Sequence, residues 1–115
     1  RRYGENIRAG KLSPEDELAA VLQQEASDVD KPFRALSQWP ARSMMITKRD
    51  VLPLPVAAKD GPSFLEKIEG ITHIVFDPYD PDNKELARNI SELSKQLETI
   101  SLKPAGVVLK IRDKK

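Results

Sequence analysis

Leu18, Val21 and Leu22 stand at i, i+3 and i+4 in an alanine-rich run, the spacing of one apolar helix face. Ser13 before Pro14, with Asp16 three residues on, supplies a start: a capping serine, a proline at the first helical position and a variant of the capping box. A helix over Pro14 to Ala26 is predicted. From Asp28 to Pro40 no helical period persists. Pro32 and Pro40 bias Lys31 and Trp39 toward extended geometry, so this stretch reads as a connecting segment pinned by Phe33, Leu36 and Trp39. Ser43 to Thr47 reads as a strand. Val51 to Val56 reads as extended chain, either an edge strand or a surface-hugging arm, because Pro53 and Pro55 remove ladder donors.

The second half is more regular. Asp60-Gly61-Pro62 opens a short helix carrying Phe64, Leu65 and Ile68, which Gly70 closes. Ile71 to Phe76 is apolar on both faces, as a buried strand requires, and Asp77-Pro78 stops it. Asp80 then caps a helix that Pro81 opens and that is predicted to run to about Thr99. Its Leu86, Ile90, Leu93, Leu97 and Ile100 form a stripe of about two heptads, too short for a coiled coil and suited to packing on a sheet. Val107 to Ile111 is the last strand. Strand, helix, strand in that order predicts a parallel pair joined by a right-handed crossover.

These elements place the chain in the α/β class. They predict a small single domain with a βαβ-type sheet of about three to four strands and a long helix in the C-terminal half. Residues 1–12 form a basic N-terminal arm, 13–40 the N-terminal helix and proline-rich extended linker, and 41–115 the α/β core with a basic tail. A length of 115 residues suits one core. The chain opens Arg1-Arg2-Tyr3-Gly4, without methionine or the pattern of a secretory signal, as an excised domain or processed product does.

Composition removes many chemistries. With no cysteine there is no disulfide framework, thiol nucleophile or thiolate metal site, and His73 is the only imidazole. Carboxylate, lysine and tyrosine chemistry remains open, although enzyme function is disfavoured. No apolar run approaches the ~20 residues that span a bilayer. A soluble protein compatible with a reducing compartment is expected: cytoplasm, nucleus or organelle interior. The net charge of +1 hides blocks. Glu15, Asp16, Glu17, Glu25, Asp28 and Asp30 occur with no base among them, and Lys31, Arg34, Arg42, Lys48 and Arg49 follow with no acid. Such segregation suits contact with several neighbours.

One constellation has the residue types for chemistry. Asp77, Tyr79, Asp80, Asp82 and Asn83 lie at the C-terminal end of the best strand, where open α/β sheets hold ligands. Asp77, Asp80 and Asp82 could together hold Mg2+ or Ca2+, which defines the alternative reading of a small divalent-metal-dependent enzyme or ligand-binding domain. Helix-start punctuation explains the same residues more simply. The corner lacks the paired aspartates of haloacid-dehalogenase-like phosphatases and the separate glutamate of Toprim domains. Thr72-His73-Ile74-Val75 is similar to a BRCT strand, but the tryptophan expected later in that fold is missing. His73 is read as a satisfied, partly buried histidine facing the side shared with Ile71 and Val75.

The leading expectation is therefore a non-catalytic protein-interaction module or small structural subunit of a larger assembly, needing no cofactor. Phe33, Trp39, Met44, Met45, Leu52 and Leu54 are the candidate contacts with a protein partner, because aromatics and methionines are favoured at interface cores. A ribonucleoprotein setting is the variant suggested by the basic ends. Arg1, Arg2, Arg8 and Lys11, with Lys110, Arg112, Lys114 and Lys115, would then contact RNA backbone phosphates without reading bases.

Overall fold

The computed structural model describes residues 14–27, 30–103 and 106–112. Helix α1 runs over Pro14–Ala26, the span its periodicity predicts; Ser13 lies outside the described residues. Leu18 and Leu22 on its apolar face are fully buried. The Arg49 guanidinium donates to the Ala26 carbonyl at 2.7 Å, satisfying an orphan acceptor at the negative end of the helix dipole.

Two short elements overturn the reading of residues 28–47. Ala35–Ser37, inside the segment read as an extended linker, is strand β1, and all three residues are buried. Pro40–Thr47, where Ser43 to Thr47 was expected to be a strand, is helix α2. Pro40 sits in its first turn, where a missing N–H costs nothing and the fixed φ suits a helix. The Thr47 hydroxyl donates back to the Ser43 carbonyl at 2.8 Å, an intrahelical bond that lets a β-branched residue close the last turn. Lys48 ends α2 in the left-handed conformation, φ 60°, with its N–H bonded to Met44 O.

Strand β2, Val51–Pro53, follows and lies at the sheet edge, as its proline requires. Helix α3, Gly61–Lys67, is capped by Asp60, whose side chain accepts from Ser63 N at 2.9 Å. That bond holds the Asp60 carboxyl below its ordinary value. Gly70 then turns the chain with φ 88°. Strand β3 is His73–Phe76, buried throughout.

The predicted long helix is replaced by three pieces. A 3-10 turn at Pro81–Asn83, capped by Asp80, leads into α4, Lys84–Ser91; strand β4 then occupies Leu97–Lys103 and β5 Gly106–Ile111. The stripe itself shows why. Leu86, Ile90, Leu93 and Leu97 all reach one core, but Ile100 packs against the opposite one. Residues three apart in a helix share a face, whereas in a strand they point to opposite faces.

The sheet has the order β2-β1-β3-β5-β4. β1 is parallel to both β2 and β3, while β5 is antiparallel to β3 and β4. The expected parallel pairing of β3 with β5 is thus corrected. The crossover unit is β3-α4-β4, and β5 returns between its two strands. Among the described residues the domain is a five-stranded mixed sheet with four helices.

Side chains alternate along each inner strand. Leu36, Ile74, Phe76, Val107 and Leu109 meet Phe64 of α3 and Leu86 and Ile90 of α4. Ala35, Val75 and Val108 meet Leu18 and Leu22 of α1, which also packs on α2. The result is a helix, sheet, helix sandwich. Two parallel crossovers leaving β1 and β2 in opposite directions require helices on opposite faces when both are right-handed.

Gly106 marks the closest approach within this sandwich. A Cβ there would stand 2.5 Å from the Phe76 carbonyl oxygen and 3.1 Å from Leu18 Cδ1. Gly106→Ala is expected to lower stability by about 1–3 kcal/mol, the usual cost of overpacking, read as a lower urea midpoint. An unchanged midpoint would contradict this fit of β5 against β3 and α1.

Candidate functional site

The strand order changes direction between β1 and β3, so their C-terminal ends frame the crevice in which α/β sheets hold ligands. Gln38, the residue after β1, fills it. Its carboxamide oxygen accepts from Asp77 N at 2.8 Å and from Asn83 Nδ2 at 3.0 Å, and its Nε2 donates to Asp80 Oδ2 at 3.2 Å. Asn83 Nδ2 also donates to the Asp77 carbonyl at 2.9 Å. The carboxylates serve the same local network. Asp77 Oδ1 accepts from Tyr79 N, and Asp80 Oδ1 accepts from Asp82 N, each at 2.9 Å. Asp82 and Tyr79 face solvent. Among the described residues no group of three or more His, Cys, Asp or Glu side chains is placed to hold a metal ion.

The six candidate interface residues divide into two sets. Phe33 is half-buried, with its ring 5.1 Å from that of His73 and the Arg49 guanidinium 5.2 Å from its centroid. Trp39 leans on the α1-side core and Leu54 on the other. Met44, Met45 and Leu52 point outward with 43%, 61% and 37% of their surface exposed. They sit on α2 and β2, which pack together at one margin of the sheet. Arg42, Met45 and Lys48 follow at three-residue spacing, and all three are exposed.

Of the candidate RNA-contacting residues, Lys110 and Arg112 are exposed near the end of β5. Arg112 Nη1 donates to the Lys95 carbonyl at 3.4 Å. Arg1, Arg2, Arg8, Lys11, Lys114 and Lys115 lie outside the described residues.

His73 is the polar exception on a buried strand, 4% exposed. Its Nε2 lies 3.0 Å from Glu25 Oε1 on α1, and its Nδ1 lies 2.8 Å from Thr72 Oγ1. An ionised carboxylate only accepts, so Nε2 carries the proton, and in the neutral ring Nδ1 accepts from the threonine hydroxyl. Arg34 N also donates to Thr72 Oγ1, at 2.9 Å. Burial pushes the imidazole below its ordinary value of 6.5; the hydrogen bond and charge of Glu25 oppose that, and Lys110 adds a smaller downward push. His73 shares its sheet face with Val75 as expected, whereas Ile71 packs against the opposite core.

Sequence reasoning missed Gln38 and Glu25. Each acts on groups about 40 to 50 positions away, so no local spacing announces either role.

A depressed folded-state value means that the folded chain binds fewer protons than the unfolded chain as acid is added. Stability is therefore expected to fall as pH drops through 6.5, and to stop falling on this account once the folded-state value is passed. Urea midpoints measured between about pH 7.5 and 5.5 check this. His73→Gln, which keeps a donor for Glu25, should flatten the slope; an equal slope in both proteins would assign it to other groups.

No family model, curated protein or solved structure matches this chain.

Proposed function

We propose that this protein is a non-catalytic interaction module, a small subunit that joins a larger assembly through the margin of its sheet formed by α2 and β2. One observation carries the reading: Met44 and Met45 stand exposed on α2, and Leu52 is exposed on the edge strand β2 against which α2 packs. Methionine and leucine side chains contribute most at the desolvated centre of an interface, and methionine adapts to varied partner surfaces. Arg42 and Lys48 flank Met45, so the fitting partner is a protein surface with an apolar centre and acidic rim. Among the described residues, β2 has a neighbouring strand on one side of its backbone only.

The Gln38 network supports the non-catalytic part of the proposal. It ties Asp80, Asn83 and the Asp77 backbone to one another at the crevice where an α/β enzyme keeps its substrate.

Met45→Glu and Leu52→Lys place charge on an already exposed surface and are expected to leave the fold intact, changing stability by less than about 0.5 kcal/mol. Each should weaken capture of the native partner by tenfold or more, about 1.4 kcal/mol, in affinity purification with nuclease present. Undiminished capture by both variants would remove this surface from the interface. Recovery that depends on RNA would move the protein to the ribonucleoprotein reading.

A further inference from the structure

We propose that the cleft between the end of α1 and the start of β3 binds a small organic oxyanion, a phosphate ester or carboxylic acid, between Lys31 and Lys110 above His73. The cleft has a volume of about 510 Å3, within the range of roughly 300–1,000 Å3 typical of small-molecule sites. It lies at the opposite ends of the parallel strands from the Gln38 crevice.

The register builds it. Val51, Ala35, His73, Lys110 and Glu98 are successive cross-strand partners and form one row across the α1 face of the sheet. The core beneath α1 takes in Val51 and Ala35, and Glu25 reaches His73 from the last turn of that helix. Lys110, the next member of the row, is exposed. Lys31, just before Pro32, lines the same cavity, and Ile111 adds an apolar wall. Neither lysine ammonium has an ion-pair partner among the described residues. Among the described residues, two lysines line a cavity whose one carboxylate, Glu25, accepts from His73. Pro32 and Ile111 suit a short apolar body attached to the oxyanion.

The floor adds a proton to this charge balance. When His73 is protonated, Nδ1–H donates to Thr72 Oγ1, and the hydroxyl turns to the Arg34 carbonyl at 3.1 Å. Both protonation states therefore keep their hydrogen bonds, and the imidazolium brings a third cation to the cleft. Among the described residues, the other charged groups facing His73 or its neighbours are Glu25, Lys110, the Arg49 guanidinium above Phe33, and Glu98 across from Lys110. An anion held by the lysines favours the protonated ring, and by linkage the protonated ring binds the anion more tightly.

Because His73 is the only histidine, its ring resonances report this site alone. The test titrates the full 115-residue chain by NMR at constant ionic strength with sulfate and acetate, whose charges stay fixed between about pH 6 and 8. The expected result is amide shifts confined to Gln24, Glu25, Ser27, Lys31, Thr72, His73, Lys110 and Ile111, and a His73 pKa raised by about one unit, equivalent to about tenfold tighter binding to the protonated protein. A response to sulfate alone assigns the site to phosphate esters, and a response to acetate alone to carboxylates. Lys31→Gln with Lys110→Gln should abolish the effect while amide dispersion stays native; Lys31→Gln alone serves if the double variant does not fold. No rise with either anion, or a rise that survives loss of the lysines, overturns the proposal.

Discussion

Strand β3 has to be covered on both faces. His73, Ile74, Val75 and Phe76 are all buried, so Ile74 and Phe76 demand one apolar layer and Val75 another. A single helix covers one side of a sheet. The rest of the architecture answers that demand, with α3 and α4 on one face, α1 and α2 on the other, and β1 and β5 supplying backbone partners along both edges of β3. His73 is the one residue of the strand that hydrocarbon cannot satisfy, and Glu25 reaches it from α1 while Thr72 bonds its other nitrogen. The imidazole thereby ties the N-terminal helix to the middle of the sheet through a bond that responds to pH.

What was legible in the amino-acid sequence was local. The run Ile71 to Phe76 announced a doubly covered strand, Asp60 marked the start of α3 although the helix ends at Lys67 before Gly70, and Pro53 kept β2 out of the sheet centre. What was illegible depends on neighbours distant in the chain. β1 is three residues long, below any period, and is a strand because β2 and β3 lie on either side of it. Pro40 after Trp39 fits equally the end of an extended segment and the first turn of a helix. The apolar spacing from Leu86 to Leu97 runs through the turn after α4 without a break, so the change to strand β4 shows only where Ile100 crosses to the other face.

The candidate sites follow the same division. The acidic corner was visible because Asp77, Asp80 and Asp82 are close in sequence, yet its organiser is Gln38, which converts it into a hydrogen-bonded plug. The outward methionines were visible as residue types, but their exposure comes from α2 being a helix rather than the predicted strand. The lysine-lined cleft was invisible, since Lys31 and Lys110 meet only through the order β1-β3-β5. The proposed protein contact at the α2–β2 margin and the proposed ligand cleft at the start of β3 are built from different residues.

Strand β3 is the doubly covered strand on which the sandwich is built. Amide hydrogen exchange measures this directly, because a strand paired on both sides and covered on both faces opens only when the whole domain opens. The amides of Ile74, Val75 and Phe76 are predicted to exchange with a free energy equal to that of global unfolding obtained from urea, while those of the edge strand β4 exchange more readily. Exchange of the β3 amides through small local openings, with slower exchange in β4, would contradict the architecture.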